Sequence, residues 1–147
     1  MGDPPLRVGE FVWTRFPEGE RPLSPGPRHS AYVLHVAALG DGGLAAVVAY
    51  TTSTGLDFRG RQPRGVHAFD AMQASALGHR VAFRLDLKRL AYLPITPRWF
   101  PDLEAAGRGV QGRAPRTLRA ALQRSLDELL LQHRDVVSFL GPLWNGG

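Results

Sequence analysis

The chain has 147 residues, 18 basic and 13 acidic side chains for a formal net charge of +5, and no cysteine. The length fits one domain, and a 44% hydrophobic share supports a packed core rather than disorder. The lack of cysteine excludes disulfide frameworks, zinc–thiolate sites and thiol nucleophiles.

In chain order, Gly9 to Phe16 alternates and is rich in β-formers, so it predicts a first strand. Pro17 to Pro27 holds four prolines and two glycines, which excludes a regular element and marks a long loop of the kind that often carries function. Ser30 to Ala38 predicts a second strand, Gly40 to Gly43 a hairpin turn, and Leu44 to Tyr50 an apolar third strand ending in the hydroxyl run Thr51-Thr52-Ser53-Thr54. A glycine-, arginine- and proline-rich loop leads to a short strand at Val66 to Phe69, and Ala71 to Leu77 suits a short helix. Arg80 to Leu87 alternates, with Val81, Phe83, Leu85 and Leu87 on one face and Arg80, Ala82, Arg84 and Asp86 on the other. A further strand is expected at Arg89 to Leu93, stopped by Pro94, and Pro97 to Phe100 is expected to tuck its rings against the body.

Residues 102–114, with Gly107, Gly109 and Gly112, read as a linker between a β-core over about residues 8–100 and a C-terminal helix over about 115–140. Leu118, Leu122, Leu126, Leu129, Leu130, Val136, Val137 and Leu140 recur at helical spacing, Pro115 suits the first turn, and Gly141-Pro142 is a stop signal. The expected fold is mainly β (α+β): a small antiparallel β-core with one long C-terminal helix. The apolar stretches Leu126 to Leu131 and Val136 to Trp144 either cap the core or join a second copy or another partner.

The charge is concentrated. Asp57 to Arg98 holds eight basic residues against three acids, whereas the rest of the chain carries ten of each. Seventeen of the basic residues are arginine and one, Lys88, is lysine, supplying planar forks suited to carboxylates and phosphates. Such a region either solvates a surface or attracts a polyanion. The opening MGDPPLRVGE lacks the apolar stretch of a signal peptide, and no run approaches the about 18 apolar residues of a membrane span. A cytoplasmic protein with no membrane partner is expected.

The five histidines have no short paired spacing and no nucleotide-binding glycine motif is present, so neither a metal nor another cofactor is expected. His35 and His133 read as packed ring residues within regular elements. Three segments hold candidate chemistry: Arg28-His29-Ser30, Thr51-Thr52-Ser53 and Arg84-Leu85-Asp86. The i,i+2 spacing of Arg84 and Asp86 sets a guanidinium and a carboxylate on one sheet face. The pair is either a surface ion pair or part of a phosphodiester site, with Asp86 as base on a ribose 2′-OH and arginines stabilising the phosphorane. No metal is needed, because the 2′-OH is an internal nucleophile.

These residues also resemble a known family, the PemK/MazF-like toxins of bacterial type II toxin–antitoxin systems. Gly9-Glu10-Phe11-Val12-Trp13 is similar to its first strand, and Pro25-Gly26-Pro27-Arg28 before Ala31-Tyr32-Val33-Leu34 resembles its second-strand entry. Val48-Ala49-Tyr50-Thr51-Thr52-Ser53 resembles its third-strand end, and Phe83-Arg84-Leu85-Asp86-Leu87-Lys88-Arg89, Tyr92-Leu93-Pro94 and Trp99-Phe100 resemble a later block. The likeness runs through about residues 8–127. It implies an SH3-like β-barrel, a homodimer, an acidic antitoxin partner, and metal-independent cleavage of single-stranded RNA to a 2′,3′-cyclic phosphate.

Carried over, Thr52 matches the family's site threonine, and Arg84 and Asp86 match an Arg-x-Asp used by some members as acid and base. The family's Arg-Pro pair is absent: alignment from the strand puts His29 at the arginine, and alignment from the loop puts Arg28 there. The resemblance-based site is thus Arg28 or His29 with Thr52, Arg84 and Asp86, and Arg59, Arg61, Arg64, Lys88 and Arg89 are expected to bind RNA. The alternative is a catalytically impaired binding module of the same fold, directed at RNA, a protein or gyrase.

Overall fold

The computed structural model describes residues 4–104 and 109–144. Seven strands, a short helix and a long helix follow in the order β1 (Glu10–Arg15), β2 (Arg28–Ala38), β3 (Leu44–Thr52), β4 (Val66–Phe69), α1 (Ala71–Ala76), β5 (Phe83–Pro94), β6 (Val110–Arg113), α2 (Arg116–Gln132) and β7 (Ser138–Leu140). The strands form one sheet of order β4-β5-β3-β2-β1-β6, antiparallel throughout, with β7 added in parallel to β5. β4 and β6 are not paired with each other, so strand pairing leaves the sheet open.

Both faces of the central strands are buried, which explains their nearly continuous apolar runs. One cluster joins Phe11, Tyr32, Phe83, Leu85 and Leu87 to Leu122, Leu126 and Leu129 of α2. The other joins Val12, Phe16, Ala31, Val33 and Val48 to Leu93, Trp99, Phe100 and Leu140. Helix α1 starts at a capping box, with Asp70 Oδ1 accepting from the Gln73 N–H and Gln73 Oε1 accepting from the Asp70 N–H.

Four expectations need correcting. Arg80–Leu87 and Arg89–Leu93 are not two strands but lie largely in one, β5, interrupted by a bulge: Ala49 faces Leu90 while the next residue, Tyr50, faces Asp86. Val81 precedes that strand and is 58% exposed rather than core. The expected linker contains β6, which pairs with β1, while Gly107 lies outside the described residues. Finally, α2 stops at Gln132, and Pro115 is its N-cap, outside the first turn. Beyond the cap residue His133 and a 3-10 turn at Arg134–Val136, residues Ser138–Leu140 become β7.

The last change has a physical cause. β4 pairs with β5 only over Phe83–Asp86, leaving the Arg89–Ala91 edge unpaired until β7 covers it. Val137 and Leu140 therefore reach the core from an extended segment, and Val136 remains 48% exposed. No helix among the described residues is long and apolar enough to cross a membrane.

Candidate functional site

Register decides which candidates share a face, because directly opposed residues of an antiparallel pair project to the same side. Thr52 lies opposite Arg84, and Tyr50 lies opposite Asp86. The His29 ring packs on the Tyr50 ring at 4.9 Å. The guanidinium of Arg89 covers Tyr50 at 3.8 Å. His29, Tyr50, Thr52, Arg84, Asp86 and Arg89 thus share one sheet face where the start of β2, the end of β3 and the Arg84–Arg89 part of β5 meet.

Arg28 does not join them. Adjacent to His29 in a strand, it projects to the other side, lies 4.2 Å over the Trp13 ring and is held by Asp102 at 2.6 Å. Tyr50 escaped the sequence reading. Its alternation with Thr52 was the available signal, but an apolar strand offered no reason to single it out.

Arg84 and Asp86 do not pair with each other: no ion pair joins them among the described residues. Asp86 Oδ1 accepts the Lys88 N–H at 2.9 Å, which fixes the carboxylate. The loop after β3 crosses the head of Arg84, where a Cβ on Gly55 would stand 3.5 Å from Nη2. The Arg84 Nε is buried without a hydrogen-bond partner. Thr52 Oγ1 accepts the Thr54 N–H and lies 3.0 Å from Thr54 Oγ1, so the hydroxyl run turns back on itself beside Arg84. A held carboxylate, an unpaired guanidinium and an oriented hydroxyl can address a phosphodiester.

Burial lowers the pKa of His29 below the ordinary 6.5, opposed by a Thr51 backbone hydrogen bond, deepened by the Arg89 charge and opposed again by Glu18. A neutral imidazole at neutral pH suits a hydrogen-bonding or proton-accepting role. A cavity of about 300 Å³ opens beside it, between the proline-rich loop and the sheet, walled by Phe16, Tyr50 and Arg89 with Glu18 and Glu20 at the loop.

The expected RNA-binding residues separate. Arg89 belongs to the face just described. Arg59 is paired with Asp57 in solvent at 3.2 Å. Arg61 and Arg64 line a cavity of about 440 Å³ against α2, with Ser125 and Glu128, and Arg64 Nη1 lies 3.3 Å from His133 Nδ1. Lys88 flanks Gly65 at the same end, 3.4 Å from the position of a Cβ there. His133 thus caps α2 as a partner of Arg64, and His35, expected to be packed, is exposed at a bulge of β2. Among the described residues no group of three or more His, Asp or Glu is arranged to hold a metal ion.

His79 is the most perturbed histidine. It stacks on Phe83 at 3.8 Å and meets the edge of Phe11, and burial drives its pKa from 6.5 to about 4. Between those values the unfolded chain binds the proton and the folded chain does not, so stability falls as pH drops from about 6.5 to 4. The loss attributable to His79 is at most about 3 kcal/mol. Urea unfolding at pH 7 and at pH 4 should show the drop, and His79→Gln should flatten it. An equal pH slope in the variant would refute the assignment.

No family model matches the chain, and no curated protein matches it either.

Proposed function

We propose that this chain is an endoribonuclease of the PemK/MazF-like toxin type, cutting single-stranded RNA without a metal and inhibiting growth. The observation that carries the reading is the shared sheet face of His29, Thr52, Arg84 and Asp86, with the arginine and the carboxylate both free of each other. The motif order along the chain supports it, and so does the concentration of positive charge between Asp57 and Arg98. The reading includes an SH3-like barrel, to which the open antiparallel sheet with its long helix is compatible, a homodimer, and an acidic antitoxin as partner.

In this mechanism Asp86 takes the proton of a ribose 2′-OH and the freed oxygen attacks the adjacent phosphorus. The P–O5′ bond breaks, leaving a 2′,3′-cyclic phosphate on one fragment. Arg84 offsets charge on the phosphorane and on the departing 5′-oxygen, which takes a proton from water. Thr52 donates to a non-bridging oxygen. His29 occupies the family's arginine position and, being neutral, hydrogen-bonds the phosphate or accepts the proton in place of Asp86. Arg28, committed to Asp102 and Trp13, serves the opposite side of the sheet.

The test is incubation of the purified protein with a single-stranded RNA in EDTA. Cleavage with 2′,3′-cyclic phosphate ends is expected, and fragments carrying 3′-hydroxyls or a requirement for added metal would overturn the mechanism. The absent Arg-Pro pair favours one rival, an impaired binding module on the same fold. RNA retained but never cut would establish that alternative.

A further inference from the structure

A second cavity, of about 300 Å³, opens at the same sheet end on the side of Trp13, and the cleavage chemistry does not use its far wall. We infer that this cavity is a stacking site for one unpaired base of a single-stranded nucleic acid, with Trp13 as its platform and His79 at its far wall. The choice of ligand rests on the RNA-cleaving reading above.

Three observations carry it. First, the platform is held: Arg28 covers one face of the indole at 4.2 Å and is itself anchored by Asp102. A fixed indole cushioned by a cation is suited to stacking on any base, independent of sequence. Second, the far wall is flat: His79 lies parallel to Phe83 at 15°, and both rings line the cavity. Val81 lines the same cavity and is 58% exposed, an apolar surface open to solvent.

Third, charge and position fit a nucleic-acid strand. Among the described residues no carboxylate lines this cavity, in contrast to the cavity beside Tyr50 with Glu18 and Glu20. Thr52 and His29 line it too, so the cavity borders the candidate site at this end of the sheet. Its volume is at the lower end of the about 300–1,000 Å³ typical of small-ligand sites, enough for a base rather than a larger group.

The test reads tryptophan emission on titration with short 2′-O-methylated single-stranded RNA, which cannot be cut. Quenching is expected, with the Trp13→Phe protein supplying the background from Trp99 and Trp144. An abasic oligonucleotide of equal charge should quench at least about tenfold more weakly. Val81→Glu, an exposed position whose change leaves the core intact, should weaken quenching by about tenfold or more. Equal quenching by the abasic strand, or none by either, overturns the inference, as does a Val81→Glu protein that binds like the wild type. The two readings fail separately. Base-dependent quenching without cleavage of unmodified RNA would remove the cleavage reading and keep the stacking site. Cleavage with no quenching, unaltered by Val81→Glu, would do the reverse.

Discussion

Arg84→Ala and Asp86→Asn should each lower the rate of single-stranded RNA cleavage by about 100- to 1,000-fold, the effect typical of losing one preorganised charge-stabilising or proton-transfer group. Neither change should unfold the protein. Both side chains are half-buried at the open end of the sheet, and neither belongs to the two apolar clusters. The two losses should differ in kind. Asp86→Asn keeps the shape and the acceptor for the Lys88 N–H but removes the base, so kcat falls with little change in KM. Arg84→Ala removes a cation that substrate phosphate also meets before reaction, so KM rises as well.

His29→Ala separates the two alignments of the missing arginine. On the shared-face geometry it should damage cleavage more than Arg28→Ala. Loss confined to Arg28→Ala would place the site on the Trp13 side of the sheet. Full activity in both Arg84→Ala and Asp86→Asn would remove these residues from the chemistry altogether.

The second large effect is on stability. Gly78→Ala should cost about 3 kcal/mol and lower the unfolding midpoint by roughly 6–12 °C. Gly78 has φ +86° and ends α1 in a Schellman motif: its N–H donates to the Ser75 carbonyl, and the His79 N–H donates to the Ala74 carbonyl. A Cβ there meets both a left-handed backbone and the Gln111 carbonyl of β6, which cannot move without disturbing the β1–β6 pairing. Gly40→Ala is the control, since a Cβ at that turn position touches nothing within 4 Å. Calorimetry of the two proteins reads the difference directly, and equal midpoints would show that the α1–β6 approach relaxes easily. Because Gly78 also sets the direction of His79, the variant should lose part of the pH dependence expected of that ring.

Several elements were legible because one local signal dominates each. Alternation marked β1 and the Arg84–Asp86 half of β5. The turn Gly40–Gly43 separated β2 from β3, and the leucine spacing marked α2 through Leu130. Its end was not legible. Val136, Val137 and Leu140 continue the helical period, and nothing local says that the unpaired Arg89–Ala91 edge of β5 competes for them. The same limit hid β6, a glycine-bearing segment that is a strand only because β1 offers it a partner.

The candidate site divides along the same line. Residue type and i,i+2 spacing by themselves determined that Arg84 and Asp86 share a face, since a strand's side chains alternate whatever surrounds them. The missing cysteines and the clustering of positive charge in Asp57–Arg98 were likewise properties of the sequence alone. Only the tertiary structure decided that Thr52 and His29 stand with that pair and Arg28 does not, because this depends on the register between strands far apart in the chain. It also decided that Arg61 and Arg64 face α2, and that Trp13 and His79 wall one cavity, since long-range packing rather than any local pattern brings those residues together.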